Sequence, residues 1–390
     1  MRPVRAQKIL LVISGLTTGG AETMACRLAT QWVEAGVAVH VVCLGNTGSG
    51  SIARRMEAVG VTISVLGMSG LGSLPSSLYS LLRISRRYRP DIIQGWMYHG
   101  NAFSVVCAAA CGFSRPLCFG IRHSLNDIDV EERRHQRVIR LNAGLSIFCR
   151  TIVYNSSVAV PQHANVGFPA DKSLVIPNGF DTSVFKPNDT DRLATRQKLG
   201  VDDGTLVIGW IGRFHRMKGL HVFFEAASIY LAEPIVRTRF VLAGPGIDSS
   251  NLAIRDLFPE KVDPKLFHLL EEQSNIPALL NGFDIFTVCS EYGEGFSNVL
   301  GEAMSCGLPC VATDVGDSSE VIGSDGILVQ PSDAKALVNA WRVLAEKTPE
   351  ERDAIGRSGR ERIKERYSIA GVGHQYLELY NSLTDGSEPI

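Results

Sequence analysis

At 390 residues, 45% hydrophobic and 20% charged, the chain is long enough for two domains that each bury a core. Those proportions exclude a disordered or fibrous chain. A formal net charge of −1 excludes a general nucleic-acid binder, whose affinity would rest on neutralising phosphates. The nine cysteines are odd in number, scattered, and include no Cys-x-x-Cys pair. Cys43, Cys107, Cys111 and Cys289 lie in apolar runs and read as buried free thiols, which fits a reducing cytoplasm.

The first apolar run, Lys8 to Ile13, is followed by Gly15 to Gly20 with no small-residue cleavage site, so it reads as a strand rather than a leader. Ile9 to Ser14, Ala38 to Leu44, Val61 to Leu66, Asp91 to Gly95, Leu117 to Ile121 and Thr151 to Tyr154 form a first series of six strands. Helical stretches such as Ala21 to Ala35 and Leu74 to Tyr88 separate most of them. Ala102 to Cys111, the longest apolar tract, is too short to cross a bilayer and reads as a buried helix. The expected protein is soluble, or at most peripheral to a membrane.

A second series follows the polar stretch Lys186-Pro187-Asn188-Asp189: Leu206 to Gly212, Arg239 to Ala243, Asp284 to Cys289, Pro309 to Thr313 and Gly326 to Val329. Alternation of this kind predicts two α/β domains with parallel sheets, joined between about Ile176 and Asp203. The segment Ile369 to Leu383 could pack on either. Ligands of open α/β sheets bind at the carboxyl ends of strands, and two such ends facing each other would form an interdomain cleft.

Both series have glycines where a strand hands over to a helix. Thr17-Thr18-Gly19-Gly20-Ala21-Glu22 permits close backbone approach to an anion. It does not spell the dinucleotide fingerprint, and the second strand ends without an acidic residue, which argues against a nicotinamide dehydrogenase. Past the first strand of the second series come Arg213 and Lys218. Two cations there suit a diphosphate leaving group as its charge develops, with a solvated basic loop as the plain alternative.

The stretch Ser290 to Met304 places Glu294 in a loop and Glu302 on a helix, on the same face as Asn298. The amides of Gly295, Phe296, Ser297, Asn298 and Val299 open that helix, and unpaired N-terminal N–H groups suit a phosphate. Two carboxylates for hydroxyls beside an anion site describe a sugar nucleotide. His123, after the strand at Leu117 to Ile121, can bond a sugar hydroxyl or carry a proton; His99 has a similar setting beside Trp96 and Tyr98. Arginines at 83, 86, 87 and 89, and at 133, 134, 137 and 140, alternate with apolar residues. They read either as solvated helix faces or as surfaces for an anionic bilayer.

In this order the pieces resemble the family-4 retaining glycosyltransferases of the GT-B fold, two Rossmann-like parallel-sheet domains facing across a cleft. The likeness runs through Gly19-Gly20-Ala21-Glu22, Ile176-Pro177-Asn178-Gly179-Phe180-Asp181, Gly212-Arg213 with Lys218-Gly219, and Leu242-Ala243-Gly244-Pro245-Gly246. It continues through Glu294 with Glu302-Ala303-Met304-Ser305-Cys306-Gly307 and closes at Val311-Ala312-Thr313-Asp314-Val315-Gly316. Trp96 to His99 and Thr313 to Ser318 look most like members that build bacterial surface polysaccharides, such as lipopolysaccharide and exopolysaccharide.

The resemblance implies an acceptor-side domain over 1–180, a donor domain over 181–366, and a last helix from about 367 to 390 that crosses back to the first domain. It implies that Arg213 and Lys218 hold the donor diphosphate, Glu294 the sugar hydroxyls and Glu302 the ribose. The amides after Gly295 would touch sugar and phosphate, Gly19 and Gly20 would close over the phosphates, and His123 would lie near the donor sugar. Backbone groups around His268 to Glu271, Leu270 among them, would meet the base.

The implied reaction needs no prosthetic group and no metal: a sugar moves with retention from a nucleotide diphosphate sugar, UDP-linked in preference to GDP-linked, to a hydroxyl of a glycan or lipid-linked glycan. The implied place is the cytoplasm, at the inner membrane face. Asp189 and Asp191 form an Asp-x-Asp pair, but in the expected linker. Ser297-Asn298 departs from the Pro-containing pair often found there. A sugar-nucleotide epimerase and a catalytically silent sugar-nucleotide-binding subunit are the rival readings.

Overall fold

The computed structural model describes residues 7–17, 19–258 and 262–385. Thr18 of the first glycine loop, and the last residues of the segment expected to reach 390, lie outside them. The chain divides into two compact units: one runs to Gly179 and resumes at Ile369, the other spans Phe180 to Ser368.

The first unit holds, among the described residues, a seven-stranded parallel sheet: β1 (Lys8–Ile13), β2 (Ala38–Cys43), β3 (Thr62–Val65), β4 (Ile92–Trp96), β5 (Leu117–Ile121), β6 (Thr151–Tyr154) and β7 (Ser173–Val175). Their order is β3-β2-β1-β4-β5-β6-β7. From Ile9 to Ile13, β1 is buried residue by residue, as expected of a central strand covered on both faces. The sequence reading counted six strands. The seventh has three residues, none fully buried, and so offers no apolar run to detect.

Helix Ile369–Asp385 belongs to this unit and packs on helix Gly20–Glu34. Trp32 meets Tyr376 and Tyr380 edge-on, with ring centres 5.7 and 5.6 Å away. The Tyr380 hydroxyl donates to Gln94 Oε1 of β4 at 2.8 Å, so the returning helix is tied to the sheet as well as to its neighbour.

The second unit holds β8 (Leu206–Ile211), β9 (Thr238–Ala243), β10 (Phe267–Leu270), β11 (Ile285–Val288), β12 (Cys310–Thr313) and β13 (Ile327–Val329), in the order β10-β9-β8-β11-β12-β13, all parallel. The apolar pattern does not reveal β10, an edge strand in which only Phe267 is buried. An aromatic cluster of Phe223, Phe240 and Trp341 fills one side of the sheet, and Trp341 Nε1 donates to Thr287 Oγ1 at 2.9 Å.

The expected linker is corrected at one point. Asp189–Lys198 is a helix, capped by Asn188, whose side chain accepts from the amides of Thr190 and Asp191. Asp189 and Asp191 therefore favour a helix N-terminus. Arg196, buried on that helix, donates to Asp284 Oδ2 at 3.0 Å, and the same oxygen takes the Val207 amide at 2.7 Å. All nine cysteines are free; Cys111 is half-buried and the rest are buried.

Candidate functional site

In the second unit the chain order reverses between β8 and β11, the kind of switch point beyond whose carboxyl ends open α/β sheets bind ligands. The loop leaving β8 carries Arg213 and Lys218, and the loop leaving β11 carries Glu294. Gly219 lets them meet: its φ is +63°, and a Cβ there would stand 1.9 Å from the Cys289 carbonyl oxygen. The Glu291 amide donates to the Met217 carbonyl at 2.8 Å, stitching the two loops together.

Lys218 Nζ donates to Glu294 Oε1, and Ser290 Oγ donates to the same oxygen at 2.9 Å. The two residues that sequence reasoning assigned to different parts of one ligand are thus ion-paired here, with Lys218 and Glu294 side chains 20% and 10% exposed. Arg213 is exposed, its guanidinium 3.9 Å from Met217 Sδ. The Glu294–Gly295 backbone is held by the next loop: Gly316 has φ +62°, a Cβ there would lie 2.2 Å from the Glu294 carbonyl oxygen, and the Asp317 amide donates to the Gly295 carbonyl at 2.9 Å.

Helix Asn298–Ser305 begins two residues later than Phe296, so the Phe296 amide belongs to the loop. Phe296 itself is buried against Phe180 and Tyr367, with ring centres 5.9 and 5.7 Å away. Among the described residues no side chain caps the helix, and Ser297 Oγ, at its start, is buried with no hydrogen-bond partner. An uncapped first turn beside an unsatisfied hydroxyl offers donors to an anion. Glu302 stands one turn along the same helix, half-buried. The Leu270 carbonyl takes the Gly244 amide at 3.0 Å, so the backbone expected near a base is joined to the glycine turn after β9.

In the first unit the order reverses between β1 and β4. Gly19 and Gly20 lead from β1 into helix Gly20–Glu34, with Gly19 extended at φ −164°. The Glu22 carboxyl occupies the approach to Gly19: a Cβ there would be 2.3 Å from Glu22 Oε2, and burial raises the Glu22 pKa. Met97, directly after β4, has φ +61°, an unusual value for a side-chain-bearing residue. It turns the chain into helix Met97–Ala110, which sets Gly100 so close that a Cβ would meet the Val12 carbonyl oxygen at 2.3 Å.

His123 follows β5 and lies in a hydrogen-bonded cluster. Its Nδ1 is 3.2 Å from the Tyr98 hydroxyl, which is 2.7 Å from His163 Nε2; His163 Nδ1 is 2.7 Å from the Ala159 carbonyl. On the other side His123 Nε2 is 3.4 Å from Glu131 Oε1, and His135 Nδ1 is 3.2 Å from Glu131 Oε2. Burial lowers the His123 pKa against the pull of Glu131, and pushes His163 down to about 4. Burial also lowers His99, helped by His135.

Sequence reasoning missed His163, Glu131 and His135 because they come from segments far from His123 with no shared spacing. It also gave Arg122 no role. Arg122 donates to the Ile176 carbonyl at 3.3 Å, to Asn178 Oδ1 at 3.0 Å and to the Tyr376 hydroxyl, and lies 4.5 Å over the Trp96 ring. It bolts the segment before His123 to the Ile176–Gly179 stretch and to the terminal helix.

Each basic helix buries an apolar residue, Leu81 in one and Ile139 in the other, and each exposes a large one, Tyr79 and Leu141. In Leu74–Tyr88 the arginines are exposed while Leu81 is fully buried, so its apolar side serves the core. In Arg133–Leu145, Leu141 is 55% exposed; nearby in sequence Ile147 and Phe148 are exposed too, and Phe148 stacks on exposed Phe113 at 5.3 Å. Among the described residues no helix is long and apolar enough to cross a membrane, and no group of three or more His, Cys, Asp or Glu side chains could hold a metal ion.

The family described as Glycosyltransferase Family 4 matches residues 18–184, and the one described as Glycosyl transferases group 1 matches residues 205–347. The putative glycosyltransferase EpsF of Bacillus subtilis is 31% identical over 216 residues, 54% of this chain and 54% of its own length. The lipopolysaccharide core biosynthesis mannosyltransferase LpsB of Rhizobium meliloti is 30% identical over 221 residues, 54% of this chain and 61% of its own. The matches thus span little more than half the length of these relatives. Among solved structures, Anabaena Alr3699/HepE in complex with UDP and glucose superposes with a TM-score of 0.78 at 23% identity, covering 97% of this chain and all of that one. That likeness speaks for the fold.

Proposed function

The chain belongs to the glycosyltransferases, a family-4 domain followed by a group 1 domain in the GT-B fold, and we propose that it moves a sugar from a nucleotide diphosphate sugar to a glycan hydroxyl. The observation that carries the reading is the meeting of Lys218, Glu294 and an uncapped helix start at the switch point of the second sheet. A diphosphate there competes with Glu294 for Lys218, and the freed carboxylate accepts from sugar hydroxyls. Arg213 and the amides of Ser297 to Val299 complete the anion's partners, and the buried Ser297 hydroxyl gains one. Glu302 takes the ribose and the backbone near Leu270 the base. We assign Gly19 and Gly20 to the phosphates and His123 to the sugar. The second unit is the donor domain, and the first, with its returning helix, serves the acceptor.

The proposed transfer proceeds with retention. No side chain is assigned as nucleophile; the departing diphosphate takes the acceptor's proton while Arg213, Lys218 and the helix amides hold its growing charge. That positive charge comes from the protein, so the reading assigns no role to a metal. UDP-linked donors are favoured over GDP-linked ones, and the UDP-bound state of the Anabaena neighbour supports that choice. The acceptor is a glycan or lipid-linked glycan of surface-polysaccharide synthesis, a reading supported by the lipopolysaccharide core role of the Rhizobium relative. We place the protein in the cytoplasm at the inner membrane face, held by the arginines of helix Arg133–Leu145 with exposed Leu141, Ile147 and Phe148.

A thermal-shift screen against UDP-, GDP- and ADP-sugars tests the donor, because a ligand bound to the folded state raises its melting temperature by mass action. Stabilisation by a UDP-sugar, followed by acceptor-dependent release of UDP with the anomeric configuration kept, is the expected result. No stabilisation by any of the three, or an inverted product, defeats the reading.

A further inference from the structure

The chain of contacts behind His123 determines where its protons sit. His163 is fully buried, and among the described residues its Nδ1 faces only a carbonyl oxygen, that of Ala159, which can accept but never donate. Nδ1 therefore carries a hydrogen. Kept neutral by burial, His163 offers a lone pair at Nε2. The group 2.7 Å from that lone pair is the hydroxyl of Tyr98, itself 2% exposed, and burial keeps its proton in place. Tyr98 has one proton, and it goes to His163. What Tyr98 turns toward His123, at 3.2 Å, is a lone pair. A lone pair there requires hydrogen on His123 Nδ1.

The other nitrogen meets a different neighbour. His123 Nε2 looks onto the Glu131 carboxylate at 3.4 Å, and Glu131 is shared with His135, whose ring stacks 6.2 Å from that of His123. Without Tyr98, the carboxylate would draw the single proton of a neutral ring to Nε2. Tyr98 and Glu131 thus compete for it from opposite ends.

We propose that Tyr98, oriented by His163, is a positioning residue that keeps Nδ1 of His123 protonated, so that His123 gains and loses its proton only at Nε2, on the Glu131 side. Neutral His123 then presents an acceptor at Nε2, and charged His123 a donor there. The groups that set the balance are Glu131 and His135 on one side and Tyr98 and His163 on the other. The bearing of this device on sugar transfer rests on the proposed place of His123 beside the donor; the device itself does not.

The test is nitrogen NMR of the full-length protein carrying 15N-histidine, with the His123 signals among the nine histidines identified by their loss in His123→Gln. In the wild type, Nδ1 is expected to keep the shift of a protonated nitrogen across the titration while Nε2 alone moves. In Tyr98→Phe the proton should shift toward Nε2, and turnover with a UDP-sugar should fall about tenfold with KM within twofold, the scale expected when a ring loses the partner that orients it. A neutral wild-type ring protonated at Nε2 overturns the proposal, and that spectrum decides the matter even if Tyr98→Phe does not fold. A proton shift in Tyr98→Phe with unchanged turnover upholds the device and removes His123 from the reaction.

Discussion

The strand ends of the two sheets are built on opposite electrostatic plans. The second unit gathers formal charge: Lys218 against Glu294, with Arg213 exposed on the same loop as Lys218. The first unit gathers buried, mostly neutral donors and acceptors: His163, Tyr98 and His123 in one line, with Glu131 at its open end. A charged wall can trade its internal ion pair for a ligand's charges, whereas a neutral chain can only pass on the direction of a hydrogen bond. The difference teaches that this chain keeps its exchangeable ion pair and its hydrogen-bond relay in separate units, so the proposed binding and proton roles can be broken one at a time.

The largest effect should come from breaking the charged wall. Lys218→Ala is expected to lower turnover by about 2–4 kcal/mol in barrier, the scale of losing one donor to a developing oxyanion. Near wild-type turnover in steady-state kinetics with a UDP-sugar would mean that Lys218 serves only Glu294. The neutral cluster should respond to acid instead. His163 is held near 4 in the folded chain against an ordinary 6.5, so below pH 6.5 the unfolded chain takes up the proton first. Stability from this group is intact above 6.5 and is lost as pH falls through about 4, by up to roughly 3 kcal/mol. Denaturant melts of wild type and His163→Gln at pH 7.5 and 4.5 should show the variant losing less; equal losses would remove His163 as the cause.

Gly219→Ala tests whether the two loops of the charged wall must touch. The left-handed backbone and the Cys289 carbonyl oppose any Cβ, and a cost of about 1–3 kcal/mol in stability is expected, with weaker UDP binding by calorimetry. Unchanged binding would show that the loops can part without harm to the wall. The smallest effect is assigned to Glu302→Gln: a KM for the donor raised several-fold, about 1 kcal/mol, with kcat nearly constant. A fall in kcat at constant KM would move Glu302 from binding into the chemistry.

Much of the charged wall was legible beforehand, because each part lies within a few residues of a strand end and a glycine that lets it turn. Arg213, Lys218, Glu294 and the Asn298–Ser305 helix are local features of loops after strands, and it was the family resemblance that gave them roles. The ion pair was not legible: Lys218 and Glu294 are 76 residues apart, and only the neighbouring of β8 and β11 brings them together. In the first unit even less was readable. His123 stood out as a histidine after a strand, but Tyr98 and His163 come from two other helices, 25 and 65 residues from their hydrogen-bond partners. The missed strands β7 and β10 failed for a related reason, since edge strands are half-exposed and lack the continuous apolar run that betrays central ones.

What the amino-acid order determined by itself was the alternation of strand and helix, the glycines at the turns and the residue types available at each strand end, all properties of short windows governed by backbone sterics and burial period. What only the tertiary structure decided was which side chains share hydrogen bonds, because parallel strands adjacent in a sheet are separated by whole helices in the chain. Pairing Lys218 with Glu294, and threading His163 through Tyr98 to His123, required the sheet order that the local pattern does not contain.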